Sequence, residues 1–306
     1  MGEPPDRFHP VALFGTKMTA LEQRMYRPTR TRGACYTLLG VAGSAGTAIA
    51  IERVLMYSVP TRHRGLVRLA TTTTIATLCI AGRMLGDVSS TIALPLERND
   101  LDTSRSKIRY LVGRDTDILD AEGIARAVTE SVAENTVDAV IAAAFWTAVG
   151  GPIGVAAYRA VNTLDAMVGH HNERYEHFGW ASARLDDVMN WIPARITAAL
   201  VMIVRVHATR EVVAVVTSDA RAHPSPNSGV AEGAFAAAIG VQLGGINVYQ
   251  DRVEDRGTLG NGRKPDAQGI RDAISLLRDV TWAAAGLLAL AAAVTTRIDA
   301  RTTRSS

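Results

Sequence analysis

The chain has 306 residues, enough for a sizeable core and at most two domains. Apolar residues make up 47% and charged residues 21%, a pairing that works only if the two kinds are segregated into blocks. A net charge of +3, scattered basic residues and 5% aromatics exclude a nucleic-acid reader, which gathers basic groups on one face beside stacking rings. Two distant cysteines, Cys35 and Cys79, exclude a disulfide framework and a zinc site; both stand in apolar runs and read as buried, inert thiols.

The N-terminal stretch MGEPPDRFHP is polar and proline-rich, with no apolar core of a signal peptide, so membrane insertion would fall to an internal helix. Uncharged runs then follow in order. Gly33–Ile51 has 19 residues, Leu69–Gly82 is shorter, Ala139–Tyr158 has 20, Ile196–Val204 extends weakly to Val216, and Val280–Thr296 has 17. A bilayer core needs about twenty mostly apolar residues in a helix. The runs are rich in Ala, Gly and Thr, which suits close helix packing. They predict an all-α, polytopic integral membrane bundle with polar loops and amphipathic helices between spans, forming a single domain over 1–306. Arg and Lys flank nearly every span, so charge sets no orientation.

Between the spans, Asp120 is the expected N-cap of a helix whose apolar positions Ile124, Val128 and Val132 keep helical spacing. Gly150-Gly151-Pro152 predicts a kink or re-entrant turn inside the longest run. His223–Gly229 reads as a turn-rich loop, and Asp251–Gln268 as an exposed polar loop. Strand-like alternation is sparse throughout.

Four polar clusters carry the candidate chemistry. Glu130, Glu134 and Asp138 repeat every four residues and fall within an arc of about 80° on a helix. Such a face needs a counter-charge, either magnesium or arginine, unless it is a hydrated helix end. Arg159, Asn162 and Asp165 share a face beyond the longest run; an internal network that fixes packing is the plainer account. Asp186 and Asn190 lie one turn apart with Asp187 adjacent, a reasonable magnesium–phosphate cradle because magnesium takes one or two carboxylates together with phosphate oxygens. Arg184 and Arg195 stand nearby, with the guanidinium fork that suits phosphate or carboxylate. His223 has a side chain that titrates near neutrality, although a histidine before proline is more often a turn residue. Gly257–Lys264 has the spaced glycines of a phosphate loop but neither its Gly-Lys-Ser/Thr ending nor a preceding strand.

Taken in order, the segments Gly2-Glu-Pro-Pro…Phe8-His9-Pro10, Gly113-Arg-Asp-Thr116, Glu130-Ser-Val-Ala-Glu134-Asn135…Asp138, Tyr158-Arg159-Ala-Val-Asn162-Thr-Leu-Asp165, Asn172-Glu-Arg-Tyr175, Phe178-Gly-Trp180…Arg184-Leu-Asp186-Asp187…Asn190 and His223-Pro-Ser-Pro-Asn227…Glu232 resemble the CobD/CbiB family of cobalamin biosynthesis. The resemblance covers nearly the whole chain, and its stretch from 113 to 195 is the most specific. Family members usually carry an apolar helix ahead of the segment matching Gly2–Pro10; the sequence here begins without it.

The resemblance implies a multi-pass cell-membrane ligase. Its reaction joins 1-aminopropan-2-ol, or its O-phosphate, by an amide bond to the propionate carboxylate of adenosylcobyric acid, with ATP and magnesium activating the carboxylate. The partners expected are the corrinoid, the amine, the bilayer and other membrane enzymes of the pathway, with no nucleic acid. On that reading Asp186, Asp187 and Asp138 hold magnesium. Arg159, Asn162, Asn172, Arg174, Arg184 and Asn227 bind phosphate or substrate. Glu134, His223 and Asp165 are catalytic, with Glu134 or His223 taking the amine proton. Two other readings stay open: a magnesium-dependent prenyl or phosphoalcohol transferase, and a transporter or scaffold of the same pathway.

Overall fold

The fold is described from a computed structural model covering residues 10–80, 82–170, 172–248 and 253–302, with side chains to residue 293. The segment Gly2–His9 and residue Asp251, both part of the sequence reading, lie outside the described residues. In chain order the elements are α1 (Pro10–Met25), α2 (Arg30–Tyr57), α3 (Arg64–Cys79), α4 (Gly82–Glu97), α5 (Leu101–Ile108), α6 (Ala121–Thr136), α7 (Ala142–Val168), α8 (Trp180–Val204), α9 (Thr209–Thr217), α10 (Ser228–Ile239), β1 (Leu243–Val248), β2 (Val253–Leu259) and α11 (Ala267–Thr302). Among the described residues the protein is all-α apart from the β1–β2 hairpin.

Among the described residues five stretches are long and apolar enough to cross a membrane: Arg30–Tyr57, Thr61–Glu97, Ala121–Val168, Trp180–Val204 and Ala267–Ala293. Large apolar side chains stay exposed along them, among them Leu38, Val54, Leu66, Leu69, Trp282 and Leu290. A soluble protein buries such residues or uses them at an interface, whereas a bilayer solvates them. The same logic corrects the expectation for Cys35. It faces outward from α2, while Cys79 is buried as expected. An apolar run marks a helix bound for the bilayer, not a buried position on it.

The chain divides into two compact units, one of Met1–Ala81 with Val137–Pro193, the other of Gly82–Thr136 with Ala194–Ser306. In the first unit α7 packs against α1, α2 and α3. Its core gathers Met18, Tyr36, Leu164, Val168 and Phe178 in one cluster, and Cys79, Ala142, Ala143, Val155 and Tyr158 in another. The expected kink in α7 falls at Gly151, with φ +57° and ψ −145°. Only glycine adopts that backbone readily, and the following Pro152 has no N–H to continue the helical ladder.

In the second unit α6 packs against α4, α10, α11 and β1, which buries nearly every residue from Gly123 to Thr136. Asp120 caps it as expected, its Oδ1 accepting the Gly123 N–H at 2.7 Å. Part of the polar stretch read as a loop is strand β2. It pairs antiparallel with β1, with an irregularity between Gly244 and Ile246. Both strands are rich in glycine and polar residues, so their register comes from pairing with each other and leaves no apolar alternation to read. The proline loop also ends two residues earlier than expected, because Ser228 and Gly229 already belong to α10.

Candidate functional sites in two units

The second unit builds a buried carboxylate cluster. Glu130, on the enclosed face of α6, is 1% exposed. Its Oε2 accepts from Arg114 Nη2 at 2.5 Å, and Arg114 Nη1 in turn donates to Asn247 Oδ1 at 2.8 Å. Its Oε1 accepts the backbone N–H of Gly244 at 2.9 Å. Gly244 has φ +76°, and a Cβ there would stand 2.1 Å from the Gly257 carbonyl oxygen, so glycine is needed for this approach. One turn on, Glu134 Oε1 accepts the Ser228 hydroxyl at 2.8 Å. A cavity of about 130 Å³ opens here, lined by Arg114, Glu130, Ser131, Glu134, Asn135 and Arg256 among others.

Two further groups stand behind that cavity. The His223 ring is buried, and its Nδ1 accepts the Ser225 N–H at 3.1 Å. Its Nε2 lies 3.7 Å from Glu232 Oε2, and Glu232 Oε1 lies 3.7 Å from Arg256 Nη1. Glu232 is fully buried, and neither of its oxygens nor His223 Nε2 makes a hydrogen bond. Burial, reinforced by Glu130 and Glu134, pushes the Glu232 carboxyl well above the usual carboxylate range. Burial, with Arg256 adding to it, pushes the His223 imidazole down. Both effects favour the neutral forms. Asn227 Oδ1 accepts from Arg195 Nη1 at 2.9 Å, which ties the same proline loop to α8.

The first unit builds a different arrangement, a chain of polar side chains linking α7 to α8. Arg159 Nη1 donates to Asn162 Oδ1 at 3.0 Å, and Asn162 Nδ2 donates to Asp186 Oδ1 at 3.5 Å. Asn190 Nδ2 donates to Asp186 Oδ2 at 2.9 Å. The Tyr158 hydroxyl lies 2.9 Å from Asn190 Oδ1 and 3.1 Å from the Asp138 carbonyl oxygen. Beside this chain is a cavity of about 610 Å³ with a mostly apolar lining from α1, α2, α3 and α7, whose charged members are Lys17 and Arg159.

The residues singled out in the sequence thus fall into two groups. Glu134, His223 and Asn227 belong to the second unit, and Glu134 and His223 share a cluster with Glu130 and Glu232. Asp138, Arg159, Asn162, Asp165, Asn172, Arg174, Arg184, Asp186 and Asp187 belong to the first. Asp138 lies in a π turn, Val137–Ile141, which breaks the four-residue period behind the expectation of three acids on one helix face. Asp187 stands 3.9 Å from Arg184 at the surface. Asp165 stands in the last turn of α7, its carbonyl accepting the Gly169 N–H. Asn172 Oδ1 accepts the Tyr175 N–H at 2.9 Å, a turn-forming contact. Arg174 donates to Glu22 Oε1 at 2.9 Å and lies 4.2 Å over the Tyr26 ring, so it ties its loop to α1. Arg114, Arg256 and Glu232 escaped the sequence reading as members of one site. Arg114 and Arg256 sit in segments with no helical period, and only the folded hairpin brings Arg256 to α10.

Among the described residues no group of three or more His, Cys, Asp or Glu side chains is arranged to hold a metal ion. Magnesium bound chiefly through phosphate oxygens needs fewer protein ligands, and the hard oxygens of Asp186, Asn162 and Asn190 are of the right kind.

The sequence profile of the CobD/Cbib protein family matches residues 1–277. The cobalamin biosynthesis protein CobD of Mycobacterium tuberculosis is 42% identical, over 94% of this chain and 90% of its own length. Proteins of the same name from Pelobacter propionicus and Geobacter metallireducens are 38% and 40% identical, each over 97% of this chain and over 92% and 93% of their own lengths. No solved structure matches the chain.

Proposed function

Because the chain belongs to the CobD/CbiB family of cobalamin biosynthesis proteins, we propose that it is a multi-pass cell-membrane enzyme that forms an amide on a corrinoid. The acid is the propionate of (adenosyl)cobyric acid, and the amine is 1-aminopropan-2-ol or its O-phosphate. The observation that carries this reading is the small cavity in the second unit, whose lining Glu134 shares with the arginines Arg114 and Arg256.

A carboxylate resists amines until one of its oxygens is made a leaving group. ATP would transfer a phosphoryl or adenylyl group to that oxygen. The amine nitrogen then attacks the carbonyl carbon, the C–O bond to phosphate breaks, and nitrogen gives up a proton. Glu134 is suited to take that proton: it lines the cavity and is held in place by Ser228. His223 is less suited, since its Nδ1 is engaged by Ser225 and its Nε2 faces Glu232. Arg114 and Arg256 provide positive charge for an anionic group on the amine or on the leaving phosphate. Taken by itself, the larger apolar cavity of the first unit, with Arg159 at its edge, has the lining that suits an apolar ring bearing a carboxylate. Magnesium, if held by Asp186 together with phosphate oxygens rather than by the three aspartates Asp138, Asp186 and Asp187, would neutralise phosphate charge.

The test is to incubate purified protein with adenosylcobyric acid, ATP, magnesium and each amine in turn, and to look for the mass of the amide. Formation with one amine is expected, with loss of at least a hundredfold in rate for Glu134→Gln, the usual scale for removing a general base. Folded protein that forms no amide with either amine would sink the reading.

A further inference from the structure

Glu232 is the least satisfied charged residue among the described side chains. It is fully buried, and neither oxygen makes a hydrogen bond. An ionised carboxylate in that state costs several kcal/mol unless it is paired and hydrogen-bonded. Its counter-charges are distant: Arg256 and His223 each stand at 3.7 Å, and Arg256 also serves Glu254 at 3.1 Å. Arg114, the other guanidinium facing it, is already paired with Glu130. Two more carboxylates, Glu130 and Glu134 of α6, face it as well. Three acids therefore share two arginines and a histidine whose Nδ1 is held by the loop backbone.

We propose that Glu232 is stored as the neutral acid in the resting protein and that, by ionising, it sets how strongly the adjoining cavity takes a cationic amine. Glu232 does not line that cavity, so it is a positioning residue acting through Glu134 and Glu130. When an ammonium group enters beside Glu134, the added positive charge favours ionisation of Glu232, and its proton passes to solvent. The cavity then holds the amine with one more negative charge behind it. At a pH low enough to keep Glu232 neutral, the amine is held less tightly. The amine half of this inference rests on the ligation reading; the stored proton does not.

The experiment has two arms. Infrared difference spectra of the full chain in lipid nanodiscs, taken across pH, should show the C=O band of a buried protonated carboxyl near neutrality that is lost in Glu232→Gln. Glutamine is an isostere of the neutral acid, so this variant should fold and melt like the parent near neutral pH. A wild-type spectrum without the band, or a band that persists in the variant, overturns the stored proton. Should the variant fail to insert, ¹³C-glutamate labelling of the wild type still decides, since no carboxylic band near neutrality refutes the idea. The second arm is calorimetric titration with 1-aminopropan-2-ol. Wild-type affinity should rise by about tenfold with pH through an additional step, the usual effect of one neighbouring charge, and the step should be missing in Glu232→Gln. Identical pH profiles overturn the coupling. If neither protein binds the amine while the infrared band behaves as expected, the cation half and the amine site of the ligation reading both fall and the neutral acid stands.

Discussion

The two units handle buried polar groups in opposite ways. From Arg159 to Tyr158, the first unit passes hydrogen bonds from side chain to side chain, with amides of Asn162 and Asn190 on both sides of the Asp186 carboxylate. The second unit gathers three carboxylates, and one of them, Glu232, makes no hydrogen bond at all. The first arrangement is what fixes one helix against another: amides both donate and accept, so α7 and α8 lock in one register. The second holds charge in excess of its partners, as expected of a place where a cation or a proton comes and goes.

The largest effect that would break this contrast is Arg114→Ala. Arg114 and Glu130 are both buried, and removing one partner leaves an uncompensated charge beside two other acids. The expected loss is about 3–5 kcal/mol of stability, read as a large drop in the unfolding midpoint. The matching test in the first unit is Tyr158→Phe, which removes a hydroxyl shared by Asn190 and the Asp138 carbonyl. A neutral hydrogen bond contributes about 1 kcal/mol, so the midpoint should fall far less than in Arg114→Ala. Equal losses in the two variants would erase the distinction between a chain of hydrogen bonds and a cluster of acids held by ion pairs.

Much of the first arrangement was legible in the sequence because it is local. Asp186 and Asn190 are one helical turn apart, as are Arg159 and Asn162, and helical period alone puts each pair together. The five membrane-length helices were legible for the same reason, since composition reports burial in lipid directly. The second arrangement was not. Glu130 and Glu134 could be read as a pair, but their counter-charges come from a loop at 114 and a hairpin at 256, more than a hundred residues apart. Asp138 was placed with them by a period that the π turn interrupts. His223 and Glu232 were each visible, yet nothing in their spacing says that they face one another across a proline turn.

Stability against pH separates the two halves of the His223–Glu232 pair. Glu232 has a raised folded-state pKa, so its contribution is complete below the ordinary glutamate range and is lost as pH climbs through the raised value. His223 has a depressed folded-state pKa, so its contribution is complete above the ordinary histidine value and is lost as pH falls through the lower one. The melting temperature should therefore decline on both sides of a plateau. Glu232→Gln should flatten the alkaline side and His223→Asn the acid side, each by a few degrees in a pH series of melts. A wild-type curve that rises steadily with pH through the neutral range would contradict the neutral pair.

The smallest effect expected is at Arg174, where the family resemblance implies phosphate binding and the fold supplies other partners. Its guanidinium meets Glu22 Oε1 and lies over the Tyr26 ring, while Tyr175 donates to the same carboxylate oxygen. The Arg174 side chain is about half exposed, so solvent screens the pair and keeps its contribution small, and the ring contact adds little more. Arg174→Ala should lower the melting temperature slightly and leave the KM for ATP and for the amine unchanged, because those partners already occupy its donors and its face. Arg256→Ala, in the carboxylate cluster, should instead raise the KM of the phosphorylated amine, whose anionic group that guanidinium would meet. A tenfold rise in KM for Arg174→Ala would show that the α1 contact is a resting arrangement which substrate displaces, and would move Arg174 from the scaffold of the first unit to its chemistry.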